Sequence, residues 1–265
     1  MKLIVLCVDG IDPDYAASLG FSMKYESELE IPVELFHDGE PHTLHIWPSI
    51  FTGKITRNSK LEELKKETWG PRLKIRRWLL DHEIRWRREN VSVIKYSKSS
   101  PEKYQPKWQV YQSETATLFD QYDSYIWNIP GVSPSFIMGG SLEHYKQNFI
   151  TWKILARALP QHRMDIAAVY TAYLDWLGHW MSPLKLSYFE VFDLANTLGK
   201  NIPVMLVSDH GCINGQHTHK AYLGSNCPVK ARNITEVRED IENILSTQEE
   251  GLDENIGNLQ KISCS

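Results

Sequence analysis

The chain has 265 residues, 42% of them apolar and 23% charged, and a net charge of −4. A chain of this size and composition can bury one substantial core, which excludes wholesale disorder. The small negative charge excludes a global attraction to nucleic acid and leaves only a local basic patch to consider.

Leu3 to Val8 is an apolar, β-branched run of six residues that ends at Asp9. It reads as a buried strand and is too short for a signal-peptide core or a membrane span. Pro32 to Phe36 reads as a second short strand closed by Asp38-Gly39, and Ser49 to Gly53 as the entry to a helix or turn. Residues 54–120 differ in texture, and they read as an inserted or peripheral helical subdomain within a single domain covering 1–265. Tyr125 to Ile129 is a candidate strand stopped by Pro130-Gly131, and Leu142 to Leu159 has helical spacing. Asp165 to Leu174 reads as a strand, Leu186 to Leu198 as a helix, Ile202 to Val207 as a strand and Val237 to Leu245 as a helix. Strands alternating with helices predict an α/β fold with a largely parallel central sheet flanked by helices and a small helical insertion. The cysteines Cys7, Cys212, Cys227 and Cys264 lack CxxC spacing and read as free thiols. The expectation is a soluble cytoplasmic protein that engages no membrane.

Acids and histidines follow the apolar runs. Asp9 follows the first, Asp175 follows Leu174, and Asp209-His210 follow Val207 after one serine. In an open parallel sheet the carboxyl ends of the strands form the ligand-binding edge, so three strands deliver carboxylates to one place. Clustered carboxylates repel one another, and a cation resolves that conflict. Asp175 and His179 are four residues apart and share a face in a helical turn, while His217 supplies another imidazole. Mixed carboxylate and imidazole donors suit zinc, manganese or iron and suit calcium poorly.

Four segments together resemble the alkaline phosphatase superfamily, in particular its nucleotide pyrophosphatase/phosphodiesterase branch. LIVLCVDGID (Leu3 to Asp12) is similar to that family's first strand with its metal-binding aspartate. TLHIWPSIFTGK (Thr43 to Lys54) is similar to the nucleophile segment, in which a hydroxyl residue precedes a Thr-Gly pair by nine positions. YLDWLGH (Tyr173 to His179) and VSDHGC…GQHT (Val207 to Thr218) resemble its later ligand segments, and IWNIPGVSP (Ile126 to Pro134) a strand–Pro–Gly segment. The resemblance implies an alkaline phosphatase-like fold and two divalent ions, zinc foremost with manganese or iron as alternatives. One ion would be held by Asp9, Asp209, His210 and the nucleophile Thr43, the other by Asp175, His179 and His217. It implies hydrolysis of a phosphate ester or nucleotide through a phosphothreonine, with phosphodiesterase or nucleotide pyrophosphatase activity ahead of phosphomonoesterase activity. A non-catalytic binding module that keeps the fold is the rival of a different class. Ile55-Thr56-Arg57-Asn58 departs from the Asn-Pro…His-Gly continuation of many relatives, and a reduced cap domain is expected. The Cys/Ser-x-Pro-x-Arg signature of the sulfatase branch is absent around Thr43.

Several residues carry two readings. Ser49 and Thr52 are hydroxyls that serve as nucleophile or as helix-cap and turn residues. His42 and His45 read as a polar loop or, more sharply, as phosphate contacts; Lys54 is a further candidate for substrate phosphate. Trp47 and Trp176 line the substrate pocket or pack beneath it, and Cys212 is a small buried thiol or a group near a metal. The segment 72–88 holds Arg72, Lys74, Arg76, Arg77, Arg85, Arg87 and Arg88 with Trp78 and Trp86. It reads as an amphipathic helix with a solvated basic side or as a nucleic-acid contact.

Overall fold

Six apolar residues in succession make β1 (Leu3–Val8), and every one is buried, so the strand has no solvent face. A computed structural model describes residues 1–37, 39–57, 116–133, 142–180 and 185–248. In it β1 is flanked by two parallel strands of the same character, β6 (Ile166–Thr171) and β7 (Val204–Val207). Side chains alternate between the two faces. Leu3, Val5 and Cys7 enter one apolar cluster with Ile166, Ala168, Met205 and Val207, while Ile4, Leu6 and Val8 enter the other with Ala167, Val169 and Leu206. Such runs on central strands require a layer of helices on each side.

One layer is supplied by α2 (Thr43–Thr52), through Ile46, Trp47, Ile50 and Phe51, together with the helix 237–248, through Val237, Ile241 and Ile244. The other is supplied by α3 (Leu142–Ala158), α4 (Tyr173–Trp180) and α5 (Lys185–Leu198), through Phe149, Trp152, Leu174, Leu177, Val191 and Phe192. A short α1 (Pro13–Ser18) follows β1 and is capped by Asp12, whose Oδ1 accepts from the Tyr15 amide at 2.7 Å. The sheet order is β2-β10-β7-β1-β6-β5, with β5 at Ser124–Trp127. β10 (Lys220–Ser225) runs antiparallel to β7, and β2 (Tyr25–Glu30) runs antiparallel to β10. The central sheet is therefore mostly parallel, flanked by helices on both faces, and the α/β expectation holds.

Several local expectations are corrected. The stretch Pro32 to Phe36 is not a strand: Val33–Leu35 form a 3-10 turn, followed by a two-residue ribbon of β3 (Phe36–His37) and β4 (Glu40–Pro41). The real second strand, β2, has the sequence YESELE with only Ser27 and Leu29 buried, an alternation too polar to stand out in the sequence. Ser49 to Gly53 is the end of α2 rather than an entry, and Gly53 caps it at φ 68°, in the left-handed region. The strand expected over Asp165 to Leu174 stops at Thr171, and Tyr173 already begins α4. The last helix runs on to residue 248. Most of the expected insertion 54–120, and all of the basic segment 72–88, lies outside the described residues. Among the described residues no helix is long and apolar enough to cross a membrane, and Cys7, Cys212 and Cys227 are free thiols.

The registers of the central strands place their ends level. Cys7 pairs with Tyr170 on one side and Val207 on the other, and Val8 pairs with Thr171. The residues that follow these strands therefore emerge side by side. The turn into β7 is held by one side chain. Asn226 Oδ1 accepts from the Val204 amide at 2.7 Å, and its Nδ2 donates to the Gly199 and Ile202 carbonyls at 2.7 and 2.9 Å. Asn226→Ala leaves three backbone groups without these partners, and thermal denaturation is expected to show a loss of about 1–3 kcal/mol.

Candidate metal centre

Asp9 is the first residue beyond β1, and its backbone is tied to both neighbours. Its amide donates to the Thr171 carbonyl at 2.9 Å, and its carbonyl accepts from the Asp175 amide at 3.0 Å. The start of α4 is thereby laid on the end of β1. Gly10 makes this possible: its φ is +91°, and a Cβ there would lie 2.5 Å from the Asp175 backbone nitrogen. One turn further along α4, a Cβ on Gly178 would lie 2.5 Å from the Cys212 carbonyl oxygen and 2.8 Å from its Sγ. The Gly178 carbonyl also accepts from the Gly215 amide at 2.7 Å, so α4 is docked on the loop after β7.

That loop is a small hairpin of β8 (Gly211–Ile213) and β9 (Gln216–Thr218), turning through Asn214 and Gly215 with φ 52° and 82°. Two successive positive φ values make the tight turn that matches strand twist. Its register sets Cys212 opposite His217 and brings His217 back towards the strand ends. Ser208 braces the preceding segment by donating to the His210 carbonyl at 2.6 Å and accepting from the Ile11 amide at 3.0 Å.

Two groups of ligating atoms result. In the first, His210 Nε2 lies 3.3 Å from Asp9 Oδ1, 3.5 Å from Asp209 Oδ2 and 3.2 Å from Thr43 Oγ1. In the second, His179 Nε2 and His217 Nε2 are 2.8 Å apart, and Asp175 Oδ1 is 3.3 and 3.4 Å from them. The His210 and His217 rings, 4.3 Å between centroids, join the groups. Thr43 and Thr52 are the first and last of the ten residues of α2, which puts Thr43 at the N-terminus of that helix, with His42 as its cap. Ser49 and Thr52 belong to the other end: Ser49 Oγ donates to the His45 carbonyl and accepts from the Thr56 amide, and Thr52 Oγ1 accepts from the Lys54 amide. Of the three candidate hydroxyls, Thr43 is the one beside the ligating atoms.

The substrate-side candidates fare differently. His42 and His45 are not in a polar loop. The His42 Nδ1 accepts from the Leu44 amide at 3.2 Å as a helix cap, and His45 is buried with its ring 4.8 Å from that of His42. Trp47 is fully buried, stacked on Phe51 and edge-on to Tyr170, so it packs beneath the sheet end rather than lining a pocket. Lys54 is exposed beyond the far end of α2, a helix about 15 Å long that Thr43 begins. Trp176 is partly buried against Tyr145.

Two residues, Tyr170 and Glu40, join the site that the sequence did not point to, and Cys212 lies there both as a buried thiol and as a group near the other donors. Tyr170 donates its hydroxyl to Asp9 Oδ2 at 2.7 Å, Glu40 Oε2 lies 3.4 Å from His217 Nδ1, and Cys212 offers Sγ within 4.8 Å of the Asp175, His179 and His217 donors. The Asn-Gly pair at 214–215, a hairpin signal between apolar Ile213 and the His217 segment, was the available clue for Cys212. Glu40 had none.

The electrostatics are those of crowded acids. Burial, reinforced by the charge of Asp175, pushes the Asp9 carboxyl up to about 7. Burial and the charge of Asp9 push Asp209 well above the usual carboxylate range. Burial also drives His210 down to about 4, helped by the charge of His217. Burial opposes charge on His217, but the Asp175 and Glu40 carboxylates outweigh it and hold the ring at about 10. Burial raises the Asp175 carboxyl, but His179, with His217 and His210, outweighs it and keeps the carboxyl below its ordinary range. Asp9 Oδ1, Asp175 Oδ1 and both Asp209 oxygens are buried without a hydrogen-bond donor. Orphaned anionic oxygens are costly in an interior. The spacings around His210, and those from Asp175 to the two histidines, are close to the ~3.3 Å edge of a tetrahedron with metal–ligand bonds of about 2.0–2.1 Å. Donor chemistry, spacing and orphaned oxygens all fit divalent cations.

The sequence matches no family model and no curated protein. The fold is similar to solved structures of a bacterial enzyme. Alkaline phosphatase from the Antarctic bacterium TAB5 superposes with a TM-score of 0.51 at 8% identity, covering 92% of this chain and 97% of that one. A mutant of that phosphatase with magnesium bound in its M3 site gives a TM-score of 0.52 at 8% identity, with the same coverage of both chains. The chain therefore has the alkaline phosphatase type of α/β fold, with its clustered acids and histidines at the carboxyl edge of the parallel strands.

Proposed function

We propose that the chain is a two-metal-dependent phosphoryl-transfer hydrolase, a phosphodiesterase or nucleotide pyrophosphatase that works through a phosphothreonine on Thr43. The observation that carries this reading is the Thr43 hydroxyl, 3.2 Å from His210 Nε2 and seated at the first residue of a helix. In this reading Asp9, Asp209, His210 and Thr43 hold one divalent ion, and Asp175, His179 and His217 hold the other. Zinc suits these donors best, with manganese or iron as alternatives. Bound there, the ions supply Lewis-acid stabilisation of the threonine alkoxide and of charge on the phosphate oxygens.

The chain's own residues do the rest. The positive end of the α2 dipole favours negative charge on the Thr43 oxygen and on an approaching phosphate. Thr43 Oγ1 gives up its proton to solvent, forms a bond to phosphorus and expels the ester oxygen in line. Water then attacks the phosphothreonine, the Oγ1–P bond breaks, and the threonine hydroxyl is restored as phosphate or a phosphomonoester leaves. Tyr170 steadies Asp9, and Glu40 faces the outer nitrogen of His217, so both ligands keep their orientation. The substrate class is a phosphate ester or nucleotide. A nucleic-acid end bound by the basic segment 72–88 belongs to the same reading, on residues outside those described. The solved neighbours are named alkaline phosphatases, which makes phosphomonoesters the second substrate class.

Hydrolysis of bis(p-nitrophenyl) phosphate with added zinc or manganese tests the reaction. Thr43→Ala is expected to lose at least about a thousandfold in turnover, or about 4 kcal/mol of barrier. Faster turnover of p-nitrophenyl phosphate moves the assignment to a monoesterase, and no metal-dependent turnover of either ester favours the binding module.

Zinc must displace the protons held by Asp9, at about 7, by Asp209, whose carboxyl lies well above its usual range, and by His217, at about 10. At about pH 6.5 binding is expected to release at least about two protons per chain, and affinity to fall roughly tenfold or more for each unit below pH 7. Calorimetry in buffers of different ionisation enthalpy counts the protons; a count of zero contradicts the ligand assignment.

Asp209→Asn removes the cost of holding a buried carboxyl protonated beside Asp9, and removes a ligand. In chelator-treated protein its melting temperature should rise, by about 2–4 °C for each kcal/mol relieved. The stabilisation of the parent protein by zinc should be smaller in the variant, which keeps the Asp175, His179 and His217 centre.

A further inference from the structure

We infer that Cys212 is a thiolate ligand of the ion at the Asp175/His179/His217 group, so that this centre is a four-donor site selective for zinc. The inference rests on the two-metal reading above and adds a ligand that the resemblance does not supply. Its basis is placement. The β8–β9 register makes Cys212 and His217 a cross-strand pair, whose side chains leave the ribbon on the same face. Gly178 has no side chain where α4 crosses Cys212, and the sulfur occupies that space: a Cβ on Gly178 would lie 2.8 Å from Sγ. Asp175 and His179, on the same helix, bracket Gly178, and Sγ, Asp175, His179 and His217 all place a donor atom within 4.8 Å of one another. Cys212 is fully buried, and Asp175 Oδ1 is buried beside it without a hydrogen-bond donor.

The chemistry separates this centre from its neighbour. The group around His210 offers carboxylates, one imidazole and a hydroxyl, donors shared by zinc, manganese and magnesium. Two imidazoles, one carboxylate and one thiolate suit zinc, whose shell can expand to five when a phosphate oxygen binds, and disfavour hard ions that prefer oxygen. On binding, the thiol proton leaves to solvent as the sulfur–metal bond forms.

Cobalt substitution of the full chain reads this directly. Cobalt-loaded protein is expected to show a thiolate-to-cobalt charge-transfer band together with d–d bands. Cys212→Ser should abolish the first and keep the second. Zinc affinity at this centre should fall in the variant by at least the ~10–100-fold that loss of an outer-shell partner costs. Zinc-edge X-ray absorption of the unmutated protein needs no variant, and is expected to show a sulfur shell at about 2.3 Å. Two bound ions with no sulfur shell, or a charge-transfer band that survives Cys212→Ser, overturns the inference and leaves the two-metal reading standing. Failure to bind any ion removes both.

Discussion

Three carboxylates meet at one buried edge of the sheet, and that is the constraint on which the arrangement depends. Asp9 and Asp209 are almost wholly out of water, and Asp175 stands at the start of a helix laid across them. Left to themselves they repel. The protein answers in part with protons, holding Asp9 near neutrality, and in part with three histidines drawn in from α4 and the loop beyond β7. Oxygens of all three acids still lack a donor, an arrangement that fits a divalent cation.

Backbone packing allows the crowding. The ligand-bearing segments approach more closely than side chains would permit, and glycine lies at the contacts. Gly10 takes the Asp175 backbone against it, and Gly178 takes Cys212. Each of these glycines stands within a residue of a ligand in the sequence, so the same short segments supply both the donors and the room for them to converge. Partners behind the clustered acids and histidines then set their aim, with Tyr170 on Asp9, Glu40 facing His217 and the Gly211 carbonyl on His210 Nδ1.

Helix α2 contributes orientation as well as the positive end of its dipole. His42 caps it, Thr43 opens it, and Trp47 and Phe51 anchor it in the core beneath the sheet ends. Its position is therefore set by the apolar layer, and the threonine is presented as a consequence of that packing. Lys54, adjacent in sequence to the same motif, is carried away to solvent by the intervening turns of helix.

The sequence by itself determined the α/β class, because β1, β6 and β7 bury both faces and so appear as unbroken apolar runs that no amphipathic pattern can mimic. It also marked the acids and histidines that follow those runs, since strand ends in a parallel sheet share an edge. It did not reveal β2, whose glutamates alternate with only two buried residues, nor the helical start of the Asp175 segment, which looked like more strand. Tertiary structure alone decided which polar residues join the cluster. Glu40, Tyr170 and Cys212 arrive through a two-residue ribbon, a strand register and a hairpin turn, and Trp47 and Lys54 depart through the phase and length of a helix. Proximity of that kind depends on where whole elements pack, and local spacing carries no record of it.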